Sequence, residues 1–261
     1  MTHATRIVAV AVLTALALCV PVQAQTPEMD ALRARAAQGD AEAQVSLGGM
    51  YATGSGVPQD YAEAARWYRL AGEQGFAVAQ VTLGFMYYAG EGVPQDHAEA
   101  VRWFRLAADQ GHVNAQLFLG EMYGTGRGVP QDYVEAARWY RLAADQGEPS
   151  AQYALGRMYD NGQGIPQDYA EALRWYRLAV DQGNAQSRAA LGVMYATGRG
   201  VPQDYVQAHM WFNLAASVMT GEDRESTVEI RDQIEEGLTP DGLNEAQRLA
   251  REWDEAHPRE P

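Results

Sequence analysis

The feature that most constrains this chain is a period. The segment Leu-Gly-x-Met-Tyr begins at Leu47, Leu83, Leu119, Leu155 and Leu191, and a tryptophan returns at Trp67, Trp103, Trp139, Trp175 and Trp211. Both series step by 36 residues without a slip. A fixed period of this size marks one supersecondary unit copied along the chain, in which each copy buries its apolar face only against its neighbours. A chain of 261 residues would otherwise suggest one or two globular domains. The repeat predicts instead a single continuous core that grows by addition of units.

Each unit reads as two helices. In the second unit, Ala79, Leu83, Met86 and Tyr87 recur at helical spacing and predict a first helix from about Val78 to Tyr88. Gly84 falls inside it at a cost of roughly 1 kcal/mol relative to alanine. Its return as Gly48, Gly120, Gly156 and Gly192 points to a partner helix that needs the space. The stretch Gly90-Glu91-Gly92-Val93-Pro94-Gln95 then ends the helix and turns the chain. The second helix opens with Asp60, Asp96, Asp132 or Asp168, each followed three residues later by Glu63, Glu99, Glu135 or Glu171, and in the fifth unit by Asp204 and Gln207. This spacing predicts a reciprocal capping box, worth about 1 kcal/mol at the cap residue. Gly75, Gly111, Gly147 and Gly183 close the second helix, and the tryptophans are placed to wedge between neighbouring helices.

The assembled pattern, Ala-Gln-x-x-Leu-Gly-x-Met-Tyr, then Gly-x-Gly-Val-Pro-Gln-Asp, then Ala-x-x-Trp-Tyr-x-x-Ala, resembles the Sel1-like repeat, a relative of the tetratricopeptide repeat, over about Gly39 to Ser217. The resemblance implies an all-α, right-handed α/α superhelical solenoid of five repeats with terminal capping helices. It also implies an adaptor role in protein complexes, often after export in bacteria, and brings no general catalytic residues. The fifth unit departs from the pattern, with Ser187-Arg188 where the others have Ala-Gln, so its first helix is expected to pack differently.

The ends break the period. Arg6, an apolar run from Ile7 to Val20 and the ending Val22-Gln23-Ala24 have the layout of a secretory signal peptide over residues 1–24, with an uncleaved anchor helix as the alternative. Cys19 follows Leu18, which is not the small residue a lipoprotein site uses. Residues 25–38, with Ala31, Ala34 and Ala37, read as the second helix of an incomplete leading unit. The repeats occupy 39–219, and capping helices occupy 220–256. The first capping helix spans Asp223 to Glu236 with Val228, Ile230 and Ile234; the second follows Thr239-Pro240 with Leu243, Ala246, Leu249 and Trp253. Gln207 and Met210 replace the Glu-Arg pairs of earlier units (Glu99-Arg102, Glu135-Arg138, Glu171-Arg174), so these helices are expected to cover that face. Residues 257–261 are expected to be a disordered tail.

Composition narrows the function. Removal of residues 1–24 leaves 19 arginines, no lysine and no cysteine against 34 acids. Such a surface repels phosphate backbones and anionic lipid, which disfavours nucleic-acid binding and leaves no reason for membrane insertion after cleavage. The Gly-x-Gly loops follow no strand and precede no Gly-Lys-Ser/Thr, so they read as turns. His97, His112 and His209 lack metal-ligand spacing, and His97 replaces a tyrosine, which suggests packing. The paired Asp and Glu residues are accounted for by capping, and the helix arginines by acids one turn away such as Asp109, Asp145 and Asp181. Some cysteine-rich proteins that resemble this family are linked to penicillin binding and weak β-lactam hydrolysis. Here a Ser-Lys nucleophile, a thiol and a zinc-type cluster are all missing. Neither a catalytic residue nor a cofactor nor a metal ligand is expected.

What varies between units is therefore more informative than what repeats. On the first helices, the positions opposite the leucine stripe read Ser46, Thr82, Phe118, Ala154 and Gly49, Phe85, Glu121, Arg157, Val193. With the flanking Tyr88, Tyr153 and Asp160, these predict a concave groove whose partner-binding residues are Phe85, Tyr88, Phe118, Glu121, Tyr153, Arg157 and Asp160. Aromatics beside an arginine are the composition of interface hot spots. The expectation is a periplasmic or secreted, monomeric, non-catalytic adaptor that holds a polypeptide. A peptidoglycan or carbohydrate binder is the second reading, and a β-lactam hydrolase the third.

Overall fold

The computed structural model describes residues 27–257, so the signal-peptide reading of residues 1–24 lies outside the described residues. Five helical hairpins follow one another. Their first helices, called here the A row, are α2 (Ala41–Thr53), α4 (Ala77–Ala89), α6 (Val113–Thr125), α8 (Pro149–Asn161) and α10 (Ala185–Thr197). Their second helices, the B row, are α3 (Tyr61–Glu73), α5 (His97–Ala108), α7 (Tyr133–Asp145), α9 (Tyr169–Asp181) and α11 (Tyr205–Ala216). Before them stands α1 (Pro27–Ala37), and after them come α12 (Gly221–Glu235) and α13 (Pro240–Ala256). Among the described residues there is no strand. Each helix packs mainly on its neighbours in sequence, which makes a solenoid rather than a globule.

The mid-helix glycines mark the contact inside each hairpin. A Cβ at Gly84 would lie 2.7 Å from the Phe104 ring, and one at Gly120 would lie 2.6 Å from the Tyr140 ring. The residue after each tryptophan (Tyr68, Phe104, Tyr140, Tyr176, Phe212) thus lays its ring on the bare backbone of the A-row helix. The glycines lower helix propensity but let the two helices approach by the thickness of a methyl group. The Gly-x-Gly turn does a second job beyond stopping the helix. Gly90 takes a left-handed conformation and donates its N–H to Met86 O, whereas a Cβ at Gly92 would meet Tyr61 O of the preceding unit at 2.1 Å. The second glycine therefore seats the loop on the start of the previous B-row helix.

The caps of the B row differ from the expected reciprocal box. Asp96 Oδ1 accepts the amides of Ala98 and Glu99 at 2.9 and 3.0 Å, as an N-cap should. The Asp96 N–H, however, donates to Tyr87 O of the A-row helix at 2.9 Å, and Asp60, Asp132, Asp168 and Asp204 repeat this bond to Tyr51, Tyr123, Tyr159 and Tyr195. That amide has no need of Glu99, whose carboxylate turns instead to Arg102 Nε at 3.0 Å. The tyrosine of Leu-Gly-x-Met-Tyr has a second tie through its hydroxyl. Arg69, Arg105 and Arg141 donate to the hydroxyls of Tyr87, Tyr123 and Tyr159 in the next unit. The expected pairing of Arg105 and Arg141 with Asp109 and Asp145 is thus replaced by a tie between units.

Buried glutamines make a further tie. Gln80 Nε2 donates to Gly72 O of the previous unit at 2.9 Å, and its Oε1 accepts Gln110 Nε2 at 2.8 Å. The same pair forms at Gln116 with Gln146 and at Gln152 with Gln182. Each buried amide is satisfied in this way, which is what keeps polar groups affordable in the core.

The terminal helices close the stack. α1 packs through Met29, Leu32 and Ala36 against Trp67, whereas Ala31, Ala34 and Ala37 face solvent. At the other end Met210 is 5% exposed and packs with Leu214 and Ala250, so the capping helices do cover the face that loses its Glu-Arg pair. Thr239 Oγ1 caps α13 through Gly242 N at 3.1 Å, with Pro240 at its first turn. His257, placed at sequence level in the tail, stacks on Trp253 with ring centroids 4.2 Å apart. Residues 258–261 of that expected tail lie outside the described residues.

Candidate functional site

The seven residues singled out from the sequence fall into two groups on the A row, joined by Glu121. The aromatic group lies on α4 and α6. The rings of Phe85 and Phe118 meet edge to face at 4.5 Å, Tyr88 approaches Phe118 at 6.5 Å, and Phe104 of α5 lies beneath, 5.0 Å from Phe85 and 5.7 Å from Phe118. Phe85, Tyr88 and Phe118 are each half-buried, so none of them is sealed from solvent. His97 extends the cluster, its ring 5.1 Å from that of Tyr88, in the packing role its tyrosine-like position suggests. Tyr88 is tied down by the Arg127 guanidinium, which donates to its hydroxyl. Arg127 also pairs with Glu121 at 3.6 Å.

The polar group lies on α8. The Arg157 guanidinium stands 5.8 Å from the Tyr153 ring, and Tyr153 lies 6.0 Å from Tyr176. Asp160 accepts from Arg199 of the next unit at 3.1 Å and is largely covered by it. Arg157 is exposed and makes no ion pair among the described residues. Two cavities flank it. One, of about 250 Å³, lies between α6, α7 and α8 beside Glu121 and Tyr140. The other, of about 460 Å³, is lined by Tyr153, Arg157 and Asp160 on one side and by Met219 and Ile230 on the other.

That far wall was not foreseen. Ile230, one of the apolar residues that mark the first capping helix in the sequence, is 41% exposed and faces the cavity, while Thr227 takes the buried position. α12 packs on α11 and walls the far side of this cavity. The floor was also missed. Tyr140, Tyr176 and Phe212 form it, and the sequence signal was the aromatic after each tryptophan, one residue from the position that drew attention. Burial, helped by the Glu121 carboxylate and opposed by Arg157, pushes the Tyr140 hydroxyl up to about 12. Burial raises Tyr176 further, with Asp160 and Tyr153 adding to the effect.

The chemistry on offer is that of contact: ring faces, one guanidinium without an ion partner, and carboxylates already paired. Among the described residues no three of His, Cys, Asp and Glu gather as a metal site would need. His209, 2% exposed, meets Glu235 of α12 at 3.2 Å, a packing partner that the sequence spacing did not reveal.

The Sel1 repeat pattern matches residues 41–76, 77–112, 113–148, 149–184 and 185–217, unit for unit with the hairpins described above. Among solved structures, the chain is similar to a Sel1 repeat protein from Oxalobacter formigenes, at 31% identity and a TM-score of 0.71, over 87% of this chain and 90% of that one. It is also similar to c5321, a protective antigen of uropathogenic Escherichia coli strains with an SLR fold, at 42% identity and a TM-score of 0.69. That likeness covers 72% of this chain and 40% of the antigen, so the chain spans about two fifths of the antigen's length. No curated protein matches the sequence. The hairpins, the matched pattern and these likenesses agree that the chain belongs to the Sel1 repeat family.

Proposed function

We propose that the groove along the A row holds a polypeptide partner and that the protein is an exported adaptor without a catalytic role of its own. The Sel1 fold is commonly a protein-interaction scaffold, which supplies the class of function. The observation that carries the reading is the division of exposure. Along the A-row helices the repeating leucines, Leu83, Leu119 and Leu155, are buried, whereas on the same helices Phe85, Tyr88, Phe118 and Arg157, which do not repeat, are half-buried or exposed. A surface needed only for stacking would repeat with the stack. The unlike rings and the guanidinium without an ion partner are instead residues that concentrate binding energy at interfaces.

Two features support export. Residues 1–24 have the layout of a secretory signal peptide. The similar Escherichia coli chain is a protective antigen, which fits a protein met outside the cytoplasm. The test is affinity purification of the tagged protein from the producing cell beside a Phe85→Ala/Tyr88→Ala variant. The adaptor reading expects a co-purifying protein that the variant loses. Retention on peptidoglycan without a protein partner would contradict it.

A further inference from the structure

The B-row side of the molecule carries a second opening, unconnected with the groove. A cavity of about 460 Å³ lies beside Trp103, between the end of α3 and the middle of α5, lined by Gly72, Gln80, Arg102, Trp103, Leu106 and Gln110. Each lining position has a counterpart three units on, where Val180, Arg188, Met210, Trp211, Leu214 and Val218 stand in register. There the opening is filled by the molecule itself. Trp253 of α13 lies 4.5 Å from the Arg188 guanidinium and 5.8 Å from the Trp211 ring, and packs with the clusters that contain Val180, Met210 and Leu214. The consequence is plain in one residue pair: Leu214 under α13 is 1% exposed, and its counterpart Leu106 is 41% exposed.

We infer that the cavity beside Trp103 is a docking site for a tryptophan presented by an amphipathic helix of a partner protein. α13 is the pattern for that helix. It offers small residues, Ala246 and Ala250, where it crosses the B row, and Trp253 one turn on, so its backbone comes close while the indole enters. Gly72 gives this site more room than its counterparts, since the third and fourth units carry Ala108 and Ala144 at the same place and the α13 site carries Val180. The rim carries both signs: Glu73 lines the cavity, and Arg102, which stands where the α13 site has Met210, pairs with Glu99 at 3.0 Å and lies 4.8 Å from the Trp103 ring.

The test uses the whole protein and a helix-stabilised synthetic peptide of residues 240–257, read by calorimetry. The built-in α13 fills the fifth-unit site, so the peptide is expected to bind once, beside Trp103. Leu106→Arg, at an exposed position, should weaken binding by about tenfold or more, while Leu142→Arg one unit on should change it by less than about twofold. A Trp253→Ala peptide should not bind, and Phe85→Ala/Tyr88→Ala protein should bind as the parent does, which keeps this site separate from the groove. Absence of binding would overturn the inference. So would binding indifferent to Leu106→Arg, which would mean that the peptide only displaces α13. A concentration-dependent dimer abolished by Leu106→Arg would give the site to a second copy's α13 and overturn the assignment to a partner.

Discussion

Substitution of Gly120 by alanine tests how the hairpins are built. In an ordinary helix interior the change should stabilise by about 1 kcal/mol, because alanine loses less backbone freedom on folding. Here a Cβ would lie 2.6 Å from Cδ1 and Cε1 of Tyr140 and 2.9 Å from Cγ, well inside van der Waals contact. Overpacking of this kind costs about 1–3 kcal/mol. The two effects oppose each other, and the net expectation is a destabilisation of about 1 kcal/mol. Gly49, also within an A-row helix, is the internal control. Its Cβ would stand 3.5 Å from the Tyr68 hydroxyl, an ordinary contact, so Gly49→Ala should stabilise by up to about 1 kcal/mol. Urea unfolding followed by circular dichroism reads both, with equal m values as the check that unfolding remains one transition. In a Tyr140→Leu background the Gly120→Ala penalty should shrink, giving a coupling above about 0.5 kcal/mol. If Gly120→Ala stabilises as much as Gly49→Ala does, the close-approach reasoning is wrong.

Three further outcomes are expected. Asp96→Ala removes two cap bonds and should cost about 1 kcal/mol, whereas Glu99→Ala should cost less than about 0.5 kcal/mol, since its carboxylate only meets an exposed arginine; equal losses in urea titrations would restore the reciprocal box. Trp253→Ala should lower stability by about 2–3 kcal/mol, below the range for a fully buried tryptophan, and expose Met210, seen as increased binding of a hydrophobic dye. The tyrosinate absorbance of Tyr140 should appear only as pH climbs to about 12. A folded-state value raised above the unfolded one gives stability that is complete below pH 10 and lost as pH climbs through 12, so Tyr140→Phe should reduce that alkaline loss.

The stack was legible because it is local. Leu83 and Met86 declare a helix by spacing, Asp96 declares a cap, and the loss of Arg at Met210 declares a cover, all within a few residues of sequence. What stayed hidden depends on partners brought from another helix. The Asp96 amide finds Tyr87 O only because the loop folds back, and that bond makes the Glu99 half of the box redundant. The Arg105 guanidinium passes over Asp109 for the Tyr123 hydroxyl in the next unit, a choice set by how the hairpins lie on one another. The candidate site divides in the same way. Phe85, Tyr88 and Phe118 could be placed together by counting along equivalent helices. The wall formed by Ile230 could not, because α12 lies outside the period and its position follows from packing on α11.

The departure at Ser187-Arg188 has a structural reason of the same kind. Gln152 answers a glutamine of its own unit, Gln182, whereas the fifth unit has Val218 at that place and the Trp253 ring alongside. Arg188 donates to Leu214 O at 3.3 Å and stacks on that ring. A glutamine amide would offer no comparable face to an indole, whereas a guanidinium is suited to it.

The central claim is that a polypeptide lies along the unlike residues of the A row. A photo-crosslinking amino acid placed at Phe118, in the groove, and separately at Leu142, on the B row, tests it in living producer cells. The account predicts a discrete protein adduct from position 118 that is absent from position 142 and disappears when Phe85 and Tyr88 are both alanine. Adducts of the same pattern from both positions, or a groove adduct indifferent to those two rings, would contradict it.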